Sequence, residues 1–118
     1  MPDFLILLRD DFDNAARAPH EQQQVFDRFV AWSEDLARRG IHRGVERLER
    51  DGRTARVRGG QVVVDGPYTE GKETVMGFFV VAAPSLEAAA QIAAEAPSAA
   101  LGAAIEVRAV APFPKPAG

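Results

Sequence analysis

The stretch from 20 to 39 constrains the fold most. Val25, Phe29, Trp32 and Leu36 recur at steps of four, three and four, and Phe26 and Val30 widen the stripe. Glu, Gln, Asp and Arg fill the opposite side. This periodicity predicts an amphipathic helix with one buried face. Pro19 suits its first turn, where a missing N–H costs nothing. Arg38 and Arg39 suit the negative end of the helix dipole, and Gly40 suits the C-cap.

The flanking segments read differently. FLILL (4–8) is too short for a helix and suits a buried strand. RDDFDNAARAPH (9–20) is polar and turn-rich, a loop. IHRGVERLER (41–50) reads as a strand of weak alternation, closed by the Asp51-Gly52 turn. Strands over about 53–58 and 61–64 form a hairpin around Gly59-Gly60, a two-residue turn of the primed type. TVMGFFVVAA (74–83) is a strongly apolar strand. Ser85 caps a second, alanine-rich helix over 86–96, which Pro97 ends. AIEVRAVAPF (104–113) alternates and predicts a last strand.

The resulting order matches a ferredoxin-like α+β plan: βαββαβ with an additional hairpin strand, and two helices on one face of an antiparallel sheet. Residues 1–113 form one domain, and 114–118 form a flexible tail. The other sheet face is expected to be bare and apolar, carrying Val62, Val64, Val75 and Phe79. Such a face predicts a partner, most simply a second copy about a two-fold axis. Stacked sheets would enclose a cavity suited to a small-molecule ligand.

The formal charge of −3 argues against a general nucleic-acid binder. The arginines between 38 and 58 alternate with Glu46, Glu49 and Asp51, as a solvated mixed face does. With no cysteine, disulfides and thiolate metal sites are excluded. The N-terminus lacks the basic leader of a signal peptide, and no stretch approaches the ~20 apolar residues of a membrane span. These features predict a cytoplasmic protein that binds neither membrane nor nucleic acid. His20 and His42 show no ligand spacing, so neither a metal nor a cofactor is expected.

Asp65-Gly66-Pro67-Tyr68, with Glu70, Lys72 and Glu73 and then Gly77-Phe78-Phe79, resembles the DGPF motif of the YCII-related (DGPF-domain) family. Tyr68 stands where Phe is usual. FLILL, the helix over 20–40, SLEAAAQIAAEAP and AIEVRAV resemble the family's other units, so the likeness spans nearly the whole chain. It implies a dimeric α/β barrel of ferredoxin-like subunits. It also implies a neighbourhood of extracytoplasmic-function sigma factors and, in one branch, a His–Asp pair in a cleft. Relatives often carry His or Tyr at the helix position that Phe29 fills here.

His42, which can carry a proton near neutral pH, is the better catalytic candidate of the two histidines. Asp65 has two readings: a turn fastener that hydrogen-bonds nearby backbone N–H groups, or a general base at the cavity edge. Glu70, Lys72 and Glu73 likewise form either a loop-fixing network or, with Tyr68, a ligand site in which Lys72 meets an anion. Phe26, Phe29 and Trp32 read as core, and Ser33 lacks the context of a nucleophile elbow. Two functions follow. One is a homodimer binding a small molecule in a cleft between sheet and helices, with acid/base use of His42 and Asp65. The other is a non-catalytic regulatory or interaction module linked to a sigma factor. Convergent polar groups in the cavity would favour the first; wholly apolar walls would favour binding or simple packing.

Overall fold

The computed structural model describes residues 1–66 and 74–117. Among these residues, six strands and two α-helices run in the order β1 (Asp3–Asp10), α1 (Pro19–Arg38), β2 (His42–Arg47), β3 (Thr54–Arg58), β4 (Gln61–Asp65), β5 (Thr74–Ala82), α2 (Leu86–Ala93), β6 (Glu106–Ala109), with short 3₁₀ turns at Asn14–Ala16 and Ala99–Leu101. Four strands form one antiparallel sheet in the order β2-β5-β1-β6. That is the ferredoxin-like arrangement, and β3 and β4 form a separate two-stranded sheet inserted into it.

α1 starts at Pro19 and ends as the sequence predicts. Gly40, at φ 73°, donates to the Ala37 carbonyl, and Ile41 N–H reaches back to Leu36. This paired closure needs a left-handed residue, which glycine supplies without a Cβ penalty. Ser85 Oγ accepts from Ala88 N–H at the start of α2. α2 is shorter than predicted: past Ala93 the chain tightens into i→i+3 bonds, Glu95 to Ile92 and Ala96 to Ala93. Pro97 disfavours the helical conformation in the residue before it.

The core lies on one sheet face. Phe4, Ile6 and Leu8 of β1 and Phe79 and Val81 of β5 meet Trp32 and Leu36 of α1 and Ala89 and Ala93 of α2. Trp32 and Phe79 touch with ring centroids 4.7 Å apart. The alanines let α2 lie close, and Ala89 and Ala93 are buried against the sheet. Glu95 fastens the two helices, taking Trp32 Nε1 at 3.2 Å and Arg39 at 2.7 Å.

The bare face differs from the sequence expectation. Phe79 is 3% exposed and lies beneath α1, because it pairs with the helix-facing Ile6 of β1. Val62 and Val64 are not in this sheet at all. The face opposite the helices carries Leu5 and Leu7 on β1, paired with Val80 and Phe78 on β5, all half-buried. In the hairpin, Ala55 opposes Val64 and Val57 opposes Val62, so four apolar side chains share one exposed face. Gly59 and Gly60 both have positive φ, as the primed turn demands. β3 and β4 contact chiefly each other. The radius of gyration, 16.4 Å, exceeds the about 13.5 Å expected of a compact chain this long, as a projecting arm would make it.

The last strand is also shorter than predicted, ending at Ala109 opposite Phe4. Val110 N–H still donates to Asp3, but β1 begins there and Pro112 and Pro114 can donate nothing further.

Candidate functional site

A cleft of about 310 Å³ opens between α1 and the β2 edge of the sheet. Its helix wall is Val25, Phe26, Phe29, Val30 and Ser33. Its sheet wall includes Leu8, Val45, Arg47 and Phe79. Phe26 and Val30 widen the apolar stripe of α1 as the sequence suggests, but they are 37% and 41% exposed and line the cleft rather than the core. Asn14, Gln22 and Glu34 add polar groups, and the Asn14 Oδ1 is buried without a hydrogen-bond partner among the described residues.

His42 reaches Ser33, behind this wall, through an irregularity in β2. It opposes Val81, while Gly44 opposes Val80, so the register shifts between them. The extra residue puts His42 on the helix-facing side with Val45 and Arg47, three and five residues on. Regular alternation would have sent it to the other face. The imidazole rests edge-on against Phe79, centroids 5.9 Å apart, and its Nε2 lies 2.9 Å from Ser33 Oγ. Ser33 lines the cleft, so it stands between the histidine and any occupant.

The pair can move a proton. When Nε2 is unprotonated, it accepts the Ser33 hydroxyl hydrogen, and Ser33 Oγ offers lone pairs to the cleft. When Nε2 carries a proton, it donates to Ser33 Oγ and frees the hydroxyl hydrogen for an acceptor in the cleft. Ser33 lies inside α1, where the backbone N–H groups are spent on the helix, so its own helix supplies no oxyanion hole. The arrangement suits acid/base exchange better than nucleophilic attack.

The structure does not join Asp65 to His42. Asp65 ends β4, opposite Thr54, exposed and in the other sheet, and no hydrogen bond or ion pair links the two among the described residues. Gly66 follows at φ 115°, with the Gly52 carbonyl 3.3 Å from where a Cβ would sit. Tyr68, Glu70, Lys72 and Glu73 lie outside the described residues. Among the described residues no cluster of His, Cys, Asp or Glu could hold a metal ion, and no helix is long and apolar enough to cross a membrane.

The YCII-related domain matches residues 3–114. This chain belongs to the YCII-related domain family. No curated protein matches it. Among solved structures it is similar to the 5-chloro-2-hydroxyhydroquinone dehydrochlorinase (TftG) from Burkholderia phenoliruptrix AC1100, in complex with 2,5-dihydroxybenzoquinone. The two are 18% identical over 90% of each chain, with a TM-score of 0.49.

Two residues of this YCII-related chain escape a reading by motif. Ser33 has no elbow around it, yet it continues the row Phe26, Val30, Ser33 at steps of four and three. That row is the half of the stripe that flanks the buried one, and a hydroxyl within it is the available signal. Arg47 looks like one more solvated charge, but it lies over the Phe26 ring, 4.5 Å from its centroid.

Proposed function

We propose that this protein binds a small molecule in the cleft between α1 and β2 and exchanges a proton with it through Ser33 and His42. The Ser33 Oγ to His42 Nε2 distance of 2.9 Å, on the wall of an otherwise largely apolar cleft, carries the reading. Polar groups converge on the cavity, which favours chemistry over packing. Asp65 enters as a second acid/base group on the arm, supported by its place at the arm's base beside Gly66. Tyr68, Glu70, Lys72 and Glu73 follow it in sequence and are proposed to bind the same ligand. The working unit is a homodimer joined through the open sheet face of Leu5, Leu7, Phe78 and Val80. The exposed valine face of the arm favours the second reading, a regulatory or interaction module linked to a sigma factor.

Native mass spectrometry of gently purified protein tests the first reading. Wild type should carry added small-molecule mass, and Val30→Trp, which fills the cleft from an exposed position, should lose it. A wild type without added mass, or a Val30→Trp protein that keeps it, would remove the support for the cleft and shift it to the interaction module.

A further inference from the structure

The cleft has a charge polarity that says what kind of molecule it takes. Arg47 faces α1 from the far end of β2, and its guanidinium covers the Phe26 ring. Most arginines of the main sheet and α1 are committed: Arg9 to Glu106, Arg39 to Glu95, Arg43 to Asp3. Arg47 has neither an ion pair nor a side-chain hydrogen bond among the described residues, and stacking on a ring leaves its in-plane N–H donors free. Glu46 also borders the cleft, but its register opposite Phe78 directs its side chain to the other face of the sheet, and no ion pair joins it to Arg47 among the described residues.

The opposite end of the cleft is different. Ser33 offers a hydroxyl there, backed by the His42 imidazole at 2.9 Å, and Glu34, the next residue of α1, also lines that end with a charge that repels an anion. Phe26 and Ser33 are seven residues apart on α1, which is two turns, or about 10 Å along the axis. Phe29, Val30 and Val45 line the space between. We infer that the ligand is an elongated, ring-bearing carboxylate, with the carboxylate on Arg47, the ring on the Phe26–Phe29–Val30 wall and a hydroxyl or carbonyl at Ser33. The inference rests on the cleft reading above and adds the ligand's class and orientation to it. A bidentate guanidinium–carboxylate contact supplies the specificity, and the aromatic wall supplies burial.

Two probes of this length share the phenol ring and the propenyl chain and differ at the far end: 4-hydroxycinnamate ends in a carboxylate and 4-hydroxycinnamyl alcohol in a neutral hydroxyl. Isothermal titration calorimetry with the full chain should show the anion binding at least about tenfold tighter. Arg47→Gln should weaken the anion roughly 10- to 100-fold, the range of a lost charged hydrogen bond, and leave the alcohol unchanged. Arg47→Lys should lie between, since it keeps charge but loses the planar fork. Equal binding of both probes by wild type, or an Arg47→Gln protein that holds the anion as tightly, would overturn the inference and leave the cleft standing. Binding of neither probe would overturn the inference together with the cleft reading. Should Arg47→Gln fail to fold, salt decides on wild type: anion affinity should fall with ionic strength while alcohol affinity holds, and parallel behaviour overturns the charge assignment.

Discussion

At Gly77, β5 has room for a hydrogen and nothing larger. A Cβ there would collide with the Glu46 carbonyl of β2. That close approach holds β2, and with it Val45 and Arg47, against the strand that carries Phe79. Gly77→Ala should therefore cost about 1–3 kcal/mol, the usual cost of overpacking. Thermal and denaturant unfolding would measure it, and a wild-type midpoint would show that β2 can retreat freely. Glu95 is the second residue whose surroundings set its chemistry. The Arg39 hydrogen bond holds its carboxyl below the usual range, burial pushes the other way, and the Trp32 N–H adds to the lowering. The folded pKa thus lies below that of an unfolded glutamate. The stabilisation it gives is present above that value and is lost as pH falls through the lower, folded one. Glu95→Gln should lower the melting midpoint at neutral pH and flatten its fall in this acid window. Because the pair is part-exposed, the effect should be small and should shrink further in salt.

The elements were more legible in the sequence than the site. α1 could be read because its stripe, its proline and its closing glycine agree, and the structure keeps all three. The hairpin could be read from Gly59-Gly60 alone, since few residues tolerate two successive positive φ values. β2 was blurred for a physical reason: the irregularity between His42 and Gly44 breaks the period of two that alternation depends on. That same irregularity aims His42 at Ser33, so the feature that hid the strand built the site. Phe79 was misplaced because β5 is apolar on both faces, and a run such as Phe78-Phe79-Val80-Val81 does not say which side a helix covers. Phe26 and Val30 show the converse limit. Periodicity places them on the sheetward side of α1, but only the gap between helix and β2 decides that they line a cleft.

For the whole molecule, the open sheet face is the largest consequence of the fold. Two helices cover one side of a four-stranded sheet, and Leu5, Leu7, Phe78 and Val80 are left on the other. Charges frame this apolar centre: Arg9 pairs with Glu106 at 2.9 Å and Arg108 stands next to it on β6. A polar rim around an apolar patch is the usual anatomy of an interface, and a symmetric pairing of two copies would bury the same four residues twice. If the protein works as a homodimer through this face, Leu7→Glu and Phe78→Glu should each place a carboxylate in the seam without touching the helix-side core. Sedimentation velocity should then report a dimer for wild type and a monomer for either variant, with circular dichroism unchanged. Val57→Glu, on the arm, separates the surfaces: it should leave the dimer intact if the sheet face alone joins the copies. A dimer that survives both sheet-face substitutions but dissociates with Val57→Glu would move the contact to the exposed valines of β3 and β4. A monomeric wild type at all accessible concentrations would remove self-association and leave the apolar face for a different partner.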